Sequence, residues 1–97
     1  MAKMYFMDFL RDYLNTNLTI YTVRRFLYDP PEGMVFIPGV GGCHRDLLKE
    51  DVGIYDLESY YKESGFSTKE AWWSKIKEIN KNHPDSKLYL YKIVKVR

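Results

Sequence analysis

Leu18-Thr19-Ile20-Tyr21-Thr22-Val23-Arg24-Arg25-Phe26-Leu27-Tyr28 is the stretch that decides the fold. It is rich in β-branched and aromatic residues, which favour a pleated, half-buried strand. Alternate residues of a strand share a face. Ile20, Thr22, Arg24 and Phe26 therefore lie on one side, and Thr19, Tyr21, Val23, Arg25 and Leu27 on the other. The two adjacent arginines point opposite ways. One of them is directed at a covered face or cleft, where a guanidinium needs a carboxylate or a phosphate. A structural salt bridge to Asp29, Glu32 or Asp46 would meet that need as well as a ligand would.

Working outward, Tyr5, Phe6, Phe9, Leu10, Tyr13 and Leu14 recur with helical spacing, and Asn15-Thr16-Asn17 stops that helix. Asp29-Pro30-Pro31-Glu32-Gly33 is a turn, because the prolines and glycine exclude a ladder there. Met34 to Ile37 reads as a second strand. Pro38-Gly39-Val40-Gly41-Gly42 breaks or bends it, as the corner of a small barrel requires. Cys43 to Leu48 reads as a third strand. Asp56 to Lys62 reads as a short helix with Leu57, Tyr60 and Tyr61 inward. Ser67-Thr68-Lys69-Glu70 reads as a capping box opening a further helix, with Trp72, Ile76 and Ile79 on one face. Trp72 and Trp73 diverge by about 100° on that helix, so only one of them is core. Leu88 to Val96 is the last strand, apolar on both faces over part of its length. Helix, three strands, two helices and a strand make an α+β fold, expected as a small mixed β-barrel with flanking helices.

The chain has 97 residues, one domain over 1–97 by length. Its net charge of +2 is unevenly spread. Residues 1–68 hold seven basic and ten acidic side chains, and residues 69–97 hold eight and three. A basic C-terminal third attracts phosphates, or forms a solvated helix face and a lysine-protected strand. Cys43 is the single cysteine, which excludes a disulfide scaffold. The start of the chain lacks the continuous apolar core of a signal peptide, and no run has the length of a membrane span. A cytoplasmic protein with no membrane partner is expected. Glutamine is absent while Lys, Ile and Tyr are frequent, a thermophile-like composition.

Few residues suggest chemistry. Pro38 to Gly42 lacks the phosphate-loop pattern. Cys43 and His44 are adjacent on a strand and point apart, and only His83 could add to them, so no metal is expected. His44 and Arg45 are either a base and a phosphate contact or exposed strand residues. One tryptophan outside the core could stack on a base, bind a partner or pack on the flank.

A strand carrying Thr22-x-Arg24, the turn Ser64-Gly65-Phe66-Ser67, a helix with Trp72-Trp73 and a final strand together resemble the ASCH family of PUA-like barrels. The resemblance covers most of the chain in order and spacing. It implies a PUA-like barrel associated with RNA. Some ASCH-like proteins are amidohydrolases of modified pyrimidine nucleosides that use a Lys, a Thr and a Glu. Thr22 matches that threonine and Arg24 the arginine two residues on. The lysine position falls on Thr19 and the glutamate position near Ser64, with Glu63 one residue earlier. The resemblance thus implies an RNA- or nucleotide-binding cleft beside Thr22 and Arg24, with Arg25, His44 and Arg45 as further contacts. Thr22 is the sole catalytic candidate, and no cofactor is expected. The alternatives are a small hydrolase or nuclease acting on nucleosides or RNA, and a protein-interaction module, with a weak homo-oligomer among the options.

Overall fold

The computed structural model describes residues 2–96. Its elements run β1 (Ala2–Lys3), α1 (Asp8–Asn17), β2 (Thr19–Arg24), β3 (Gly33–Ile37) and β4 (Gly41–Glu50), then two 3₁₀ turns (Ile54–Ser59 and Tyr61–Glu63), α2 (Lys69–Ile79) and β5 (Tyr89–Lys95). The five strands form one mixed sheet in the order β1-β3-β4-β5-β2. β1 runs parallel to β3, and the other neighbours are antiparallel. β5 sits between β4 and β2, which explains why its sequence is apolar on both faces.

The expected α+β class holds, but the expected barrel is not closed. β1 and β2 are the two sheet edges and do not pair with one another. The sheet nevertheless curls far enough for Arg24, at the end of β2, to donate from Nη2 to the carbonyl of Tyr5, 2.9 Å away, just past β1. Closure at this seam is made by a side chain rather than a ladder.

The inner face buries Ile20, Val35, Ile37, Cys43, Tyr91 and Ile93 against Leu10 and Leu14 of α1. The outer face of β2 and β5 buries Val23 and Leu90 under Leu57, Trp72 and Ile76. The outer face of β3 and β4 remains uncovered, leaving Met34 and Phe36 exposed.

Several boundaries differ from the expectation for local reasons. The first helix begins at Asp8, because Met4 continues the β1 pairing through its amide to Phe36 O, 3.0 Å. It runs through Asn17 and ends at Leu18, whose φ of 68° turns the chain into β2. The strand expected to reach Tyr28 stops at Arg24. Beyond it, Phe26 O accepts from the Tyr91 hydroxyl at 2.9 Å, and the Tyr28 amide donates to that hydroxyl's oxygen at 3.1 Å. Those backbone groups are satisfied by a tyrosine, so a ladder has nothing left to bind. Pro38 to Val40 forms a tight hairpin turn closed by Val40 N to Ile37 O, 2.9 Å, rather than a barrel corner. The helix expected over Asp56 to Lys62 is two 3₁₀ turns that still bury Leu57.

Candidate functional site

A cleft of about 500 Å³ opens along the free edge of β2. One wall is Tyr5, Phe6, Met7 and Leu10; the opposite wall is Trp72, Lys75, Ile76 and Ile79 of α2 with Asn80, Asn82 and His83 after it. Thr22 to Phe26 run between them. Because the cleft lies over the strand edge, residues from both faces reach it. Arg24 and Arg25 both line it, although strand alternation separates them, since the strand ends at Arg24 and Arg25 is free of the pleat.

Arg24 is the best-placed side chain. Its Nε donates to Thr22 Oγ1 at 3.3 Å and its Nη2 to Tyr5 O, and its guanidinium lies 4.6 Å from the centre of the Phe6 ring. Burial holds its pKa below the ordinary arginine value, opposed by the adjacent Tyr28 and reinforced by the charge of Arg45. The guanidinium remains a cation, partly buried and held by neutral acceptors. Arg25 lies 4.1 Å over the Phe26 ring and is half-buried. Neither arginine pairs with a carboxylate among the described residues; the bridge to Asp29, Glu32 or Asp46 is not formed. Lys75 adds a third cation, 3.4 Å from Glu78 on the next turn of α2. Among the described residues, no Asp or Glu lines the cleft.

Apolar surface supplies the rest. Leu10, Val23, Trp72 and Ile76 are buried and form the floor, and Thr22, 8% exposed, joins them. Tyr5 at 66% and Ile79 at 60% exposed form the rim with Phe26. The stripe expected of Trp72, Ile76 and Ile79 is therefore split: the first two are core, and Ile79 belongs to the rim. Phe66 sits where the two cores meet and packs edge-on against Phe9, 5.5 Å between ring centres.

The other candidates lie elsewhere. His44 faces outward on β4, 3.4 Å from Asp46. Arg45 points inward and is 3% exposed. It donates to the carbonyls of Pro31 and Pro30 at 3.2 and 3.0 Å and stacks on Tyr28 at 4.0 Å. It straps the β2–β3 connection to the sheet. Neither His44 nor Arg45 joins the cleft. Cys43 is buried, and no cluster of three metal-ligating side chains exists among the described residues. No helix there is long and apolar enough to cross a membrane.

Of the positions that the resemblance would give to lysine and glutamate, Thr19 opens β2 and does not line the cleft. Ser64 is buried in a turn, its hydroxyl donating to Tyr61 O at 2.6 Å and accepting from Phe66 N at 3.1 Å. Glu63 is exposed and does not line the cleft. The hydroxyl of Thr22 is engaged by a cation that cannot take its proton.

Sequence reading missed Lys75, Asn80, Asn82 and His83 as cleft residues. Their clue is the basic C-terminal third; what hid them is that α2 crosses over the edge of β2, a tertiary fact. The chain matches no protein-family model, no curated protein and no solved structure.

Proposed function

We propose that this protein is a binding module for a nucleotide, free or as an unstacked unit of RNA, seated in the cleft beside Thr22 and Arg24. The observation that carries the reading is composition at the site: the cations Arg24, Arg25 and Lys75 line it with the rings of Tyr5, Phe6 and Phe26, and no carboxylate among the described residues does. Cations of this kind hold phosphates, and exposed ring faces stack on bases of any identity. The volume lies within the range of pockets that take one small ligand, about 300–1,000 Å³. That size favours one nucleotide over a long groove. The resemblance to ASCH-like, PUA-like barrels agrees with the reading, with the unpaired β1–β2 seam as the place where the ligand enters. A cytoplasmic location agrees with the single buried cysteine.

Binding is favoured over hydrolysis by the state of Thr22. A hydroxyl nucleophile needs a base within hydrogen-bond reach. Thr22 Oγ1 has a guanidinium instead, and no carboxylate lines the cleft. Incubation with N-acylated cytidines is expected to give no release above the buffer rate. Turnover abolished by Thr22→Ala would overturn this part of the proposal.

Titration of a short single-stranded RNA at rising salt tests the binding itself. Affinity should fall steeply with salt, as counterion release requires. Arg24→Ala and Arg25→Ala should each weaken binding by about 1–3 kcal/mol, the range for hydrogen bonds to charged groups. Absence of binding to RNA, DNA and nucleotides at low salt would refute the proposal.

A further inference from the structure

Resting on that reading, we infer that the cleft takes the phosphomonoester end of a nucleotide, a free nucleoside monophosphate or the terminal phosphate of an RNA strand, rather than an internal phosphodiester. Charge is the first argument. Among the described residues, Arg24 and Arg25 are two guanidiniums without a carboxylate, and Lys75 is the only cleft cation with an acid beside it. An internal phosphodiester carries one negative charge, whereas a terminal phosphate carries between about 1.5 and 2 near neutral pH. The pair of unneutralised arginines matches the monoester. Arg24 is only partly buried and its acceptors, Thr22 Oγ1 and Tyr5 O, are neutral, so a dianion supplies there the counter-charge that neither provides.

Geometry is the second argument. The Arg24 to Tyr5 hydrogen bond spans the seam between the sheet edges, and Leu10 and Thr22 are buried beneath it. A phosphate with chain continuing on both sides would have to break this hydrogen bond to pass along the seam, while a phosphate that ends the chain can meet the guanidinium without doing so. Arg24 spends two donors on Thr22 and Tyr5, which leaves N–H groups of its five for an incoming oxygen. The ring of the same nucleotide then lies among Tyr5, Phe6 and Phe26.

The experiment compares, at one low salt concentration, adenosine, adenosine 5′- and 3′-monophosphate, and an adenylate tetranucleotide with and without a terminal phosphate. Adenine suits an unknown base preference because stacking tolerates any base. At least one monophosphate should bind about tenfold or more tighter than adenosine, and the phosphorylated tetranucleotide should exceed its hydroxyl counterpart by a similar factor. Arg25→Met, at a half-buried position outside the sheet ladder, should shrink both ratios without unfolding the protein. Arg24→Lys, which keeps the charge, should lower monophosphate affinity more than adenosine affinity. Equal affinity for phosphorylated and unphosphorylated probes would overturn this inference and leave the nucleotide-cleft reading standing. Failure of all the probes to bind would remove both.

Discussion

Side by side on α2, Trp72 and Trp73 have separate duties. Trp72 is 3% exposed between the second core and the cleft floor, while Trp73 is half-buried on its flank. Replacing Trp72 by alanine should cost about 3–5 kcal/mol and Trp73 clearly less; equal, small losses in denaturant melts would take α2 out of the core. Gly65 carries a constraint of another kind. Its φ is +88°, and a Cβ there would stand 2.6 Å from Leu10 Cδ2. Gly65→Ala meets both a strained backbone and a clash with α1, so a loss of about 1–3 kcal/mol is expected. An unchanged unfolding midpoint would show that the turn and α1 are not in contact. Arg45 illustrates how a correct residue type was given the wrong place. Sequence marks it as a phosphate contact, but inward alternation on β4 buries it; two proline carbonyls take its Nε and Nη2 and a tyrosine ring its face, while Nη1 is buried without a hydrogen-bond partner.

Among the elements, the end caps are where local chemistry shows most directly. The helix expected to start from Ser67 starts one residue later: Thr68 Oγ1 accepts from Ala71 N at 3.0 Å. Thr68→Ala should therefore cost about 0.5–2 kcal/mol, and Ser67→Ala close to nothing; the reverse ranking in thermal melts would move the cap back to Ser67. At the first 3₁₀ turn, Asp56 accepts from Gly53 N at 2.8 Å and lies 3.3 Å from Lys49 Nζ. The Gly53 amide, more than Lys49, holds its carboxyl below the usual value, against a small cost from burial. The folded state thus prefers the ionised form. Its contribution to stability is present above the unfolded carboxylate value and disappears as pH falls through the folded one. Asp56→Asn should flatten the acid limb of a stability–pH curve, and an unchanged limb would contradict this. β2, β3, β5 and α2 were legible because apolar and β-branched runs bounded by Pro, Gly or a cap are local signals. β1 was not, since Ala2 and Lys3 carry no pattern of their own and pair with β3 beside the buried Met4. The end of β2 was hidden for a similar reason. Its stop is imposed by Tyr91, more than sixty residues away in sequence.

At the level of the molecule, the cleft exists because the sheet curls without closing. Strand pairing between β1 and β2 would fill the seam with ladder hydrogen bonds; Arg24 bridges it instead and leaves a charged, aromatic pocket along the edge. Strand alternation put only one of Arg24 and Arg25 in a cleft beside Thr22; both line it, because β2 ends at Arg24. The sequence could not show that His44 and Arg45 lie away from them, because that depends on which face of β4 meets the core. The opposite end of the sheet, around Met34 and Phe36, is exposed and apolar, and it carries none of the cleft's arginines. Two surfaces with different chemistry thus compete for the role of binding site, and a residue-resolved titration separates them. Two-dimensional amide and indole NMR spectra, recorded while adenosine monophosphate is added at low salt, are the most direct test. The account predicts saturable shifts at Thr22 to Phe26, the Trp72 indole and Lys75 to His83, with Met34, Phe36 and His44 unmoved. Shifts confined to the outer face of β3 and β4, or no shifts at any residue, would contradict it.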